Sequence, residues 1–278
     1  MQHTTQSFKT ADGFNIHTEA WLPESDPKAI VLFSHGIAEH MGRYPHVAAY
    51  LVEHGYAFYG LDHRGHGQSD GQRAYFDRFE AVVDDLKTYF DCVRTAHPGK
   101  KIFLYGHSLG SLIALVITLR YQEHLAGLMV TGVPLMVETG QPQLLVAIGA
   151  FLDGIAPQLP LTKLESKGLS HDPKIAHAYD TDPLVCRGSV RVHMANHIVQ
   201  QSRQVRARVG EFRLPLLILH GGDDPICPLP GGVFLNQGAS STDKTFKIYP
   251  GLYHEIHNEL EKETVLADIV GWLEQHSL

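Results

Sequence analysis

An α/β architecture, a mostly parallel sheet flanked by helices with an inserted helical cap, is what this chain predicts, on three observations. Short apolar runs rich in β-branched residues alternate with longer amphipathic segments along most of the 278 residues. The apolar runs are continuous rather than alternating apolar and polar, as strands covered on both faces require. Between about residues 136 and 196 the alternation stops, and it resumes afterwards. That is the pattern of an insertion, so the expected division is a core of residues 1–135 and 197–278 with a cap at 136–196.

In chain order, residues 7–9 and 14–21, around Asp12-Gly13, predict an antiparallel hairpin at the sheet edge. Buried strands are predicted at 29–34, 56–61, 101–106, 125–132, 214–220 and 245–249. Phe76, Phe79, Val83, Leu86, Phe90 and Val93 repeat at three-and-four spacing, with Asp84, Asp85 and Lys87 turned away, which predicts a helix. Leu266, Ile269, Val270 and Leu273 form a second such stripe near the C-terminus. The interrupted interval holds Pro142, Pro157, Pro160, Pro173 and Pro183 and an apolar helix candidate at Leu144, Leu145, Ile148, Phe151, Leu152 and Ile155.

Composition narrows the function. Hydrophobic residues make up 44% of the chain and charged residues 19%, the profile of a folded protein. A formal charge of -7, with no basic run, argues against a nucleic-acid surface. Three cysteines, Cys92, Cys186 and Cys227, do not make a disulfide framework. With no basic n-region and apolar run at the start, they set the expectation of a cytoplasmic protein. Residues 144–156 are nearly uncharged but too short for a bilayer, which needs about 20 residues.

The chemistry centres on Gly106-His107-Ser108-Leu109-Gly110, a G-x-S-x-G motif. A predicted strand runs into it and a helix-competent run, 112–119, follows. This is the context of a nucleophile elbow, where glycines two residues to either side permit close backbone approach and the helix start offers N–H groups to a developing oxyanion. A serine needs a base, and the base needs an orienting acid. In the α/β-hydrolase fold these follow in the order Ser, Asp or Glu, His. His220-Gly221-Gly222-Asp223-Asp224-Pro225 follows one late strand, and Pro250-Gly251-Leu252-Tyr253-His254 follows another. Both lie at C-terminal strand ends, where open α/β sheets bind ligands. His254 is therefore the expected base, with His257 the lesser candidate. Asp223 and Asp224 both remain open as the acid on spacing alone. A second oxyanion donor is expected from the early loop Ser34-His35-Gly36-Ile37-Ala38, where the Ile37 N–H can aim at the same point as that of Leu109.

His35-Gly36-Ile37-Ala38-Glu39-His40-Met41-Gly42-Arg43-Tyr44 resembles the H-G-x-G-E-H-x-x-R-Y pattern of monoacylglycerol lipases. Asp62-His63-Arg64-Gly65-His66-Gly67-Gln68-Ser69, the serine motif, residues 179–187, 221–227 and 247–257 are similar to the same family. The resemblance, spanning about residues 30–260, implies Ser108 as nucleophile, His254 as base and Asp224, three residues after Gly221, as acid. It also implies Ile37 and Leu109 as oxyanion donors and Glu39, Arg43, His107, Tyr179 and His257 as residues that hold a glycerol head group. It further implies a small-molecule lipid ester as substrate and no cofactor. The chain departs from the pattern at Ala38, where the family carries glycine, and at Ser111, where glycine is common.

Rival readings fit less well. The 19 histidines invite a metal, yet His254-Glu255-Ile256-His257 is not an H-E-x-x-H helix and no cysteine pairs support zinc. There is no phosphate-binding G-x-x-x-x-G-K and no dinucleotide fingerprint. A dehalogenase or epoxide hydrolase would carry an acid at the elbow, and a ligand-binding relative of this fold usually loses a member of the triad. A broad carboxylesterase or lysophospholipase is the alternative activity. The apolar cap helix raises the expectation of transient contact with membranes or lipid aggregates.

Overall fold

The structure, a computed structural model, describes residues 1–138, 143–163 and 165–277, without the side chains of 143–146. The expected Pro142 and the side chains of Leu144 and Leu145 lie outside the described residues.

Ten strands and eight α-helices are described. The main sheet contains β1 (Gln2–Lys9), β2 (Asn15–Leu22), β3 (Ile30–Ser34), β4 (Ala57–Leu61), β5 (Ile102–His107), β6 (Gly127–Thr131), β9 (Leu216–Gly221) and β10 (Lys244–Tyr249). Their spatial order is β1-β2-β4-β3-β5-β6-β9-β10. β1 and β2 pair antiparallel with each other, β2 pairs antiparallel with β4, and every other pair is parallel.

Alternate residues of the continuous apolar strands feed opposite cores. Ile30 and Leu32 of β3 join the cluster beneath α2 (Phe79–Ala96), α3 (Leu109–Tyr121), α6 (Val192–Ala207) and α7 (Pro230–Gly238). Val31 and Phe33 join the cluster beneath α1 (Pro45–Glu53) and α8 (Lys262–Ser277). Two-sided burial is why these strands carry no polar alternation. Helix α2 begins at Phe79, later than the Phe76 stripe suggests. Phe76 reaches the same core from the preceding loop, edge-on to Phe79.

The interval 136–196 holds α4 (Gln143–Asp153), the hairpin of β7 (Pro160–Lys163) and β8 (Ser189–Arg191), α5 (Pro173–Thr181) and the start of α6, which runs on unbroken to Ala207. Asp153 at the end of α4 ties to α6 through His193 at 2.6 Å and Asn196 at 2.5 Å. No helix among the described residues is long and apolar enough to cross a membrane.

Candidate active site

Four parallel strands, β3, β5, β9 and β10, deliver the site at their C-terminal ends. Ser108 closes β5 and opens α3 with φ 54° and ψ -121°, a conformation costly for any residue but glycine. The neighbouring glycines make it possible. A Cβ on Gly106 would lie 2.5 Å from the Gly110 carbonyl oxygen, and one on Gly110 would lie 1.9 Å from that of Ser34. Ser111 fills the position where the family favours glycine, its single hydroxyl proton shared between the carbonyls of Gly106 and Thr131, at 2.9 and 2.6 Å.

Of the adjacent carboxylates in the loop after β9, Asp224 is the one bonded to His254. Asp224 Oδ1 accepts the N–H groups of Ile226 and Cys227 at 2.8 and 2.9 Å, and Oδ2 accepts from His254 Nδ1 at 2.8 Å. Asp223 makes no side-chain contact with the histidine among the described residues. Burial raises the Asp224 carboxyl, but the charge and hydrogen bond of His254 outweigh it and hold the group below its usual value. The same balance runs the other way at His254: burial lowers the imidazole, and Asp224 keeps it above its ordinary value. With Nδ1–H committed to Asp224, Nε2 is left as the basic nitrogen.

Beyond β3, His35 Nε2 accepts the His63 N–H at 3.0 Å, so Nδ1 carries the proton and donates to Gly36 O at 2.7 Å. The Gly36 N–H in turn donates to Glu39 Oε1 at 2.6 Å. The next amide is that of Ile37. Leu109, first residue of α3, has an N–H that no carbonyl inside the helix can take. Ile37, Leu109 and Ser108 share one cavity wall.

Two cavities meet at Ser108. One is small, about 20 Å³, with Glu39, Arg43, His107, Tyr179, His254 and Glu255 in its wall. The other is apolar, about 610 Å³, and runs among Pro134, Ile148, Leu152, Leu161, Val190 and Val199 between the cap and α6. Of the five head-group residues that the resemblance implies, Glu39, Arg43, His107 and Tyr179 therefore come together on the small pocket. His257 does not line it. It is fully buried, edge-on to His107 at 4.7 Å, and burial pushes it down to about 3. His107 donates to or accepts from Thr131 Oγ1 at 2.9 Å and is likewise held neutral by burial. Tyr179, from α5 of the cap, lies under the Arg43 guanidinium at 5.1 Å.

Glu255 is the pocket residue that the sequence reading missed. It accepts both Arg43 terminal nitrogens at 2.7 Å. Nothing in the sequence joins two residues 212 positions apart. The Cys227 thiol is buried and pushed well up by burial and by the Asp224 charge, the environment of an inert cysteine. Among the described residues no group of three or more His, Cys, Asp or Glu side chains could hold a metal.

This fold and this arrangement around an elbow serine define a serine hydrolase of the α/β-hydrolase fold. The chain belongs to the family described as serine aminopeptidase S33, whose model matches residues 25–261. It is 34% identical to a monoacylglycerol lipase of Mycolicibacterium smegmatis, over 97% of this chain and 96% of that one. It is 33% identical to the monoglyceride lipase of Homo sapiens, over 96% of this chain and 89% of the relative. The crystal structure of a Paleococcus ferrophilus monoacylglycerol lipase superposes with a TM-score of 0.80 at 28% identity, covering 99% of this chain and all of that one.

Proposed function

We propose that this chain hydrolyses monoacylglycerols to a fatty acid and glycerol through an acyl-enzyme on Ser108. The observation that carries this reading is the apolar cavity of about 610 Å³ that opens at Ser108, sized and lined for an acyl chain. The polar pocket at the same serine suits an alcohol group, and the names of the relatives at 33–34% identity agree with both.

In the proposed cycle Ser108 Oγ attacks the ester carbonyl carbon while its proton passes to His254 Nε2, with Asp224 balancing the imidazolium. The N–H groups of Ile37 and Leu109 stabilise the tetrahedral oxyanion, each donor contributing about 3 kcal/mol in comparable sites. The intermediate collapses as the bond to glycerol breaks and His254 protonates the departing oxygen. Water then gives its proton to Nε2, attacks the acyl carbonyl, and the serine leaves with that proton. Glu39, Arg43, His107 and Tyr179 hold the glycerol end, and His257 supports the His107 ring from behind.

Residues 136–196 act as the lid over the acyl cavity. Its Phe151, Ile155 and Leu161 are 68%, 65% and 56% exposed, so the lid meets a lipid surface directly. A panel of monoacylglycerols of increasing chain length, diacylglycerols, lysophospholipids and p-nitrophenyl esters tests the assignment. Monoacylglycerols should show the highest kcat/KM. A preference for lysophospholipids, or for short esters alone, would overturn it.

A further inference from the structure

Two loops that approach Ser108 from different strands are joined through one guanidinium. The loop after β3 carries Glu39, whose Oε1 accepts the Gly36 N–H at 2.6 Å and the Tyr44 hydroxyl at 2.7 Å. Its Oε2 accepts Arg43 Nη1 at 2.6 Å. The loop after β10 carries Glu255, which takes Nη1 and Nη2 of the same arginine at 2.7 Å each and a further donor, Asn258 Nδ2, at 2.7 Å. Both carboxylates and the guanidinium are buried. A buried ion group of this kind is a poor source of net stability against apolar filling, but its bidentate geometry is highly specific. What it specifies here is a distance. Gly36 is followed directly by Ile37, and Glu255 is preceded directly by His254.

We propose that Glu255 is a positioning residue: through Arg43 it locks the loop bearing His254 to the loop bearing Ile37, fixing base and oxyanion donor relative to the Ser108 hydroxyl. The inference rests on the roles given to Ser108, His254 and Ile37 above.

The clamp also carries charge. Burial raises Glu255, but the Arg43 charge and hydrogen bonds overcome that and draw its carboxyl down to about 2. Glu39, with its burial less fully offset, is raised. The titratable groups facing His254 are Asp224, Glu255, Glu39, His107, His220 and His257. Of these, Asp224, Glu255 and Glu39 raise the basicity of His254.

The test is Glu255→Gln, assayed on p-nitrophenyl butyrate across pH with thermal unfolding as a folding control. The variant keeps the shape of the side chain and loses the charge-assisted fork. The expected result is a fall in kcat of about tenfold or more, with KM within about threefold because the butyryl chain lies in the acyl cavity, which Glu255 does not line. The acid limb of kcat/KM should move to lower pH, since the imidazolium loses a neighbouring carboxylate. Glu255→Asp, which keeps the charge, should restore that limb. Wild-type kcat, or a loss confined to KM with the limb unmoved, in a folded Glu255→Gln protein overturns the proposal. If that variant does not fold, Arg43→Lys replaces it, because a lysine cannot form the fork; wild-type kcat there overturns the proposal equally. Ser108→Ala separates the two readings. Turnover by Ser108→Ala sinks the roles assigned at the site. A silent Ser108→Ala beside an unaffected Glu255→Gln sinks the clamp alone.

Discussion

The carbonyl of Ala38 accepts the N–H of Cys186 at 2.9 Å, so the loop that presents Ile37 is bonded to the cap. Ala38 sits there at φ 67°, a left-handed conformation in which a non-glycine residue costs about 1–2 kcal/mol. This is the position where the monoacylglycerol lipase pattern carries glycine. The alanine keeps the turn and bears the strain. Ala38→Gly should therefore leave kcat/KM within about twofold and raise urea-unfolding stability by up to about 1 kcal/mol, the relief being partly cancelled by unfolded-chain entropy. Ala38→Val should cost about 1–3 kcal/mol and lower kcat, because a β-branched residue cannot hold that turn. A Gly variant that loses activity would show that the strain is used rather than tolerated.

The Asp224–His254 pair sets a pH window. Asp224 is held below its ordinary value of 3.8, so its contribution to stability is present above that pH and is lost as pH falls through the folded value. His254 is held above 6.5, so its contribution is present below that pH and is lost as pH rises through the folded value. The stability gap between wild type and Asp224→Asn should be widest between these two values and narrow on either side. In activity, kcat/KM should rise with pH along a limb lying above 6.5. Asp224→Asn should lower kcat by about 10⁴-fold, as loss of the orienting acid does in comparable triads. Denaturant titrations and pH profiles of the two proteins check both.

Ala195 of α6 lines the apolar cavity. Burying each methylene contributes about 0.8 kcal/mol, so wild-type kcat/KM should rise by up to about fourfold per added carbon until the cavity is filled. Ala195→Trp should cut that rise short. Long-chain monoacylglycerols should lose about tenfold or more while butyrate esters change less than about twofold. Equal loss on both substrates would mean that the chain lies elsewhere.

Exposed apolar side chains at the cap rim predict lipid docking. Phe151→Asp and Ile155→Asp should lower co-sedimentation with phosphatidylcholine vesicles, each removing roughly 1.5–3 kcal/mol of apolar contact if fully inserted. Hydrolysis of a soluble short ester should stay unchanged. Equal sedimentation of wild type and variants would remove the docking role.

The strands of the main sheet were legible because two-sided burial leaves uninterrupted apolar runs, and the elbow because strand, glycines and helix coincide in sequence. Other elements left weaker marks. The Gln2–Gln6 half of β1 has no apolar residue and is held by backbone pairing with β2, so only its last residues read as strand. Helix α7 opens Pro230-Gly231-Gly232, with two glycines that are poor helix formers, yet a Cβ on Gly231 would lie 2.4 Å from the Val133 carbonyl oxygen. Close packing, not propensity, decides that helix. The β7–β8 ribbon left no mark for a different reason, being short and mostly exposed. At the candidate site, Ser108 and His254 stand at strand ends that the apolar runs mark, whereas preferring Asp224 to Asp223 takes the family pattern. Glu255 was invisible because its partner, Arg43, reaches it only through the tertiary fold.

The central claim is that Ser108 carries the acyl group. Incubation with a fluorophosphonate, followed by peptide mass spectrometry and a monoacylglycerol assay, tests it most directly. One adduct per chain is expected, on Ser108, with complete loss of hydrolysis, and no adduct on a folded Ser108→Ala protein. A modified residue other than Ser108, or continued hydrolysis by folded Ser108→Ala, would contradict it.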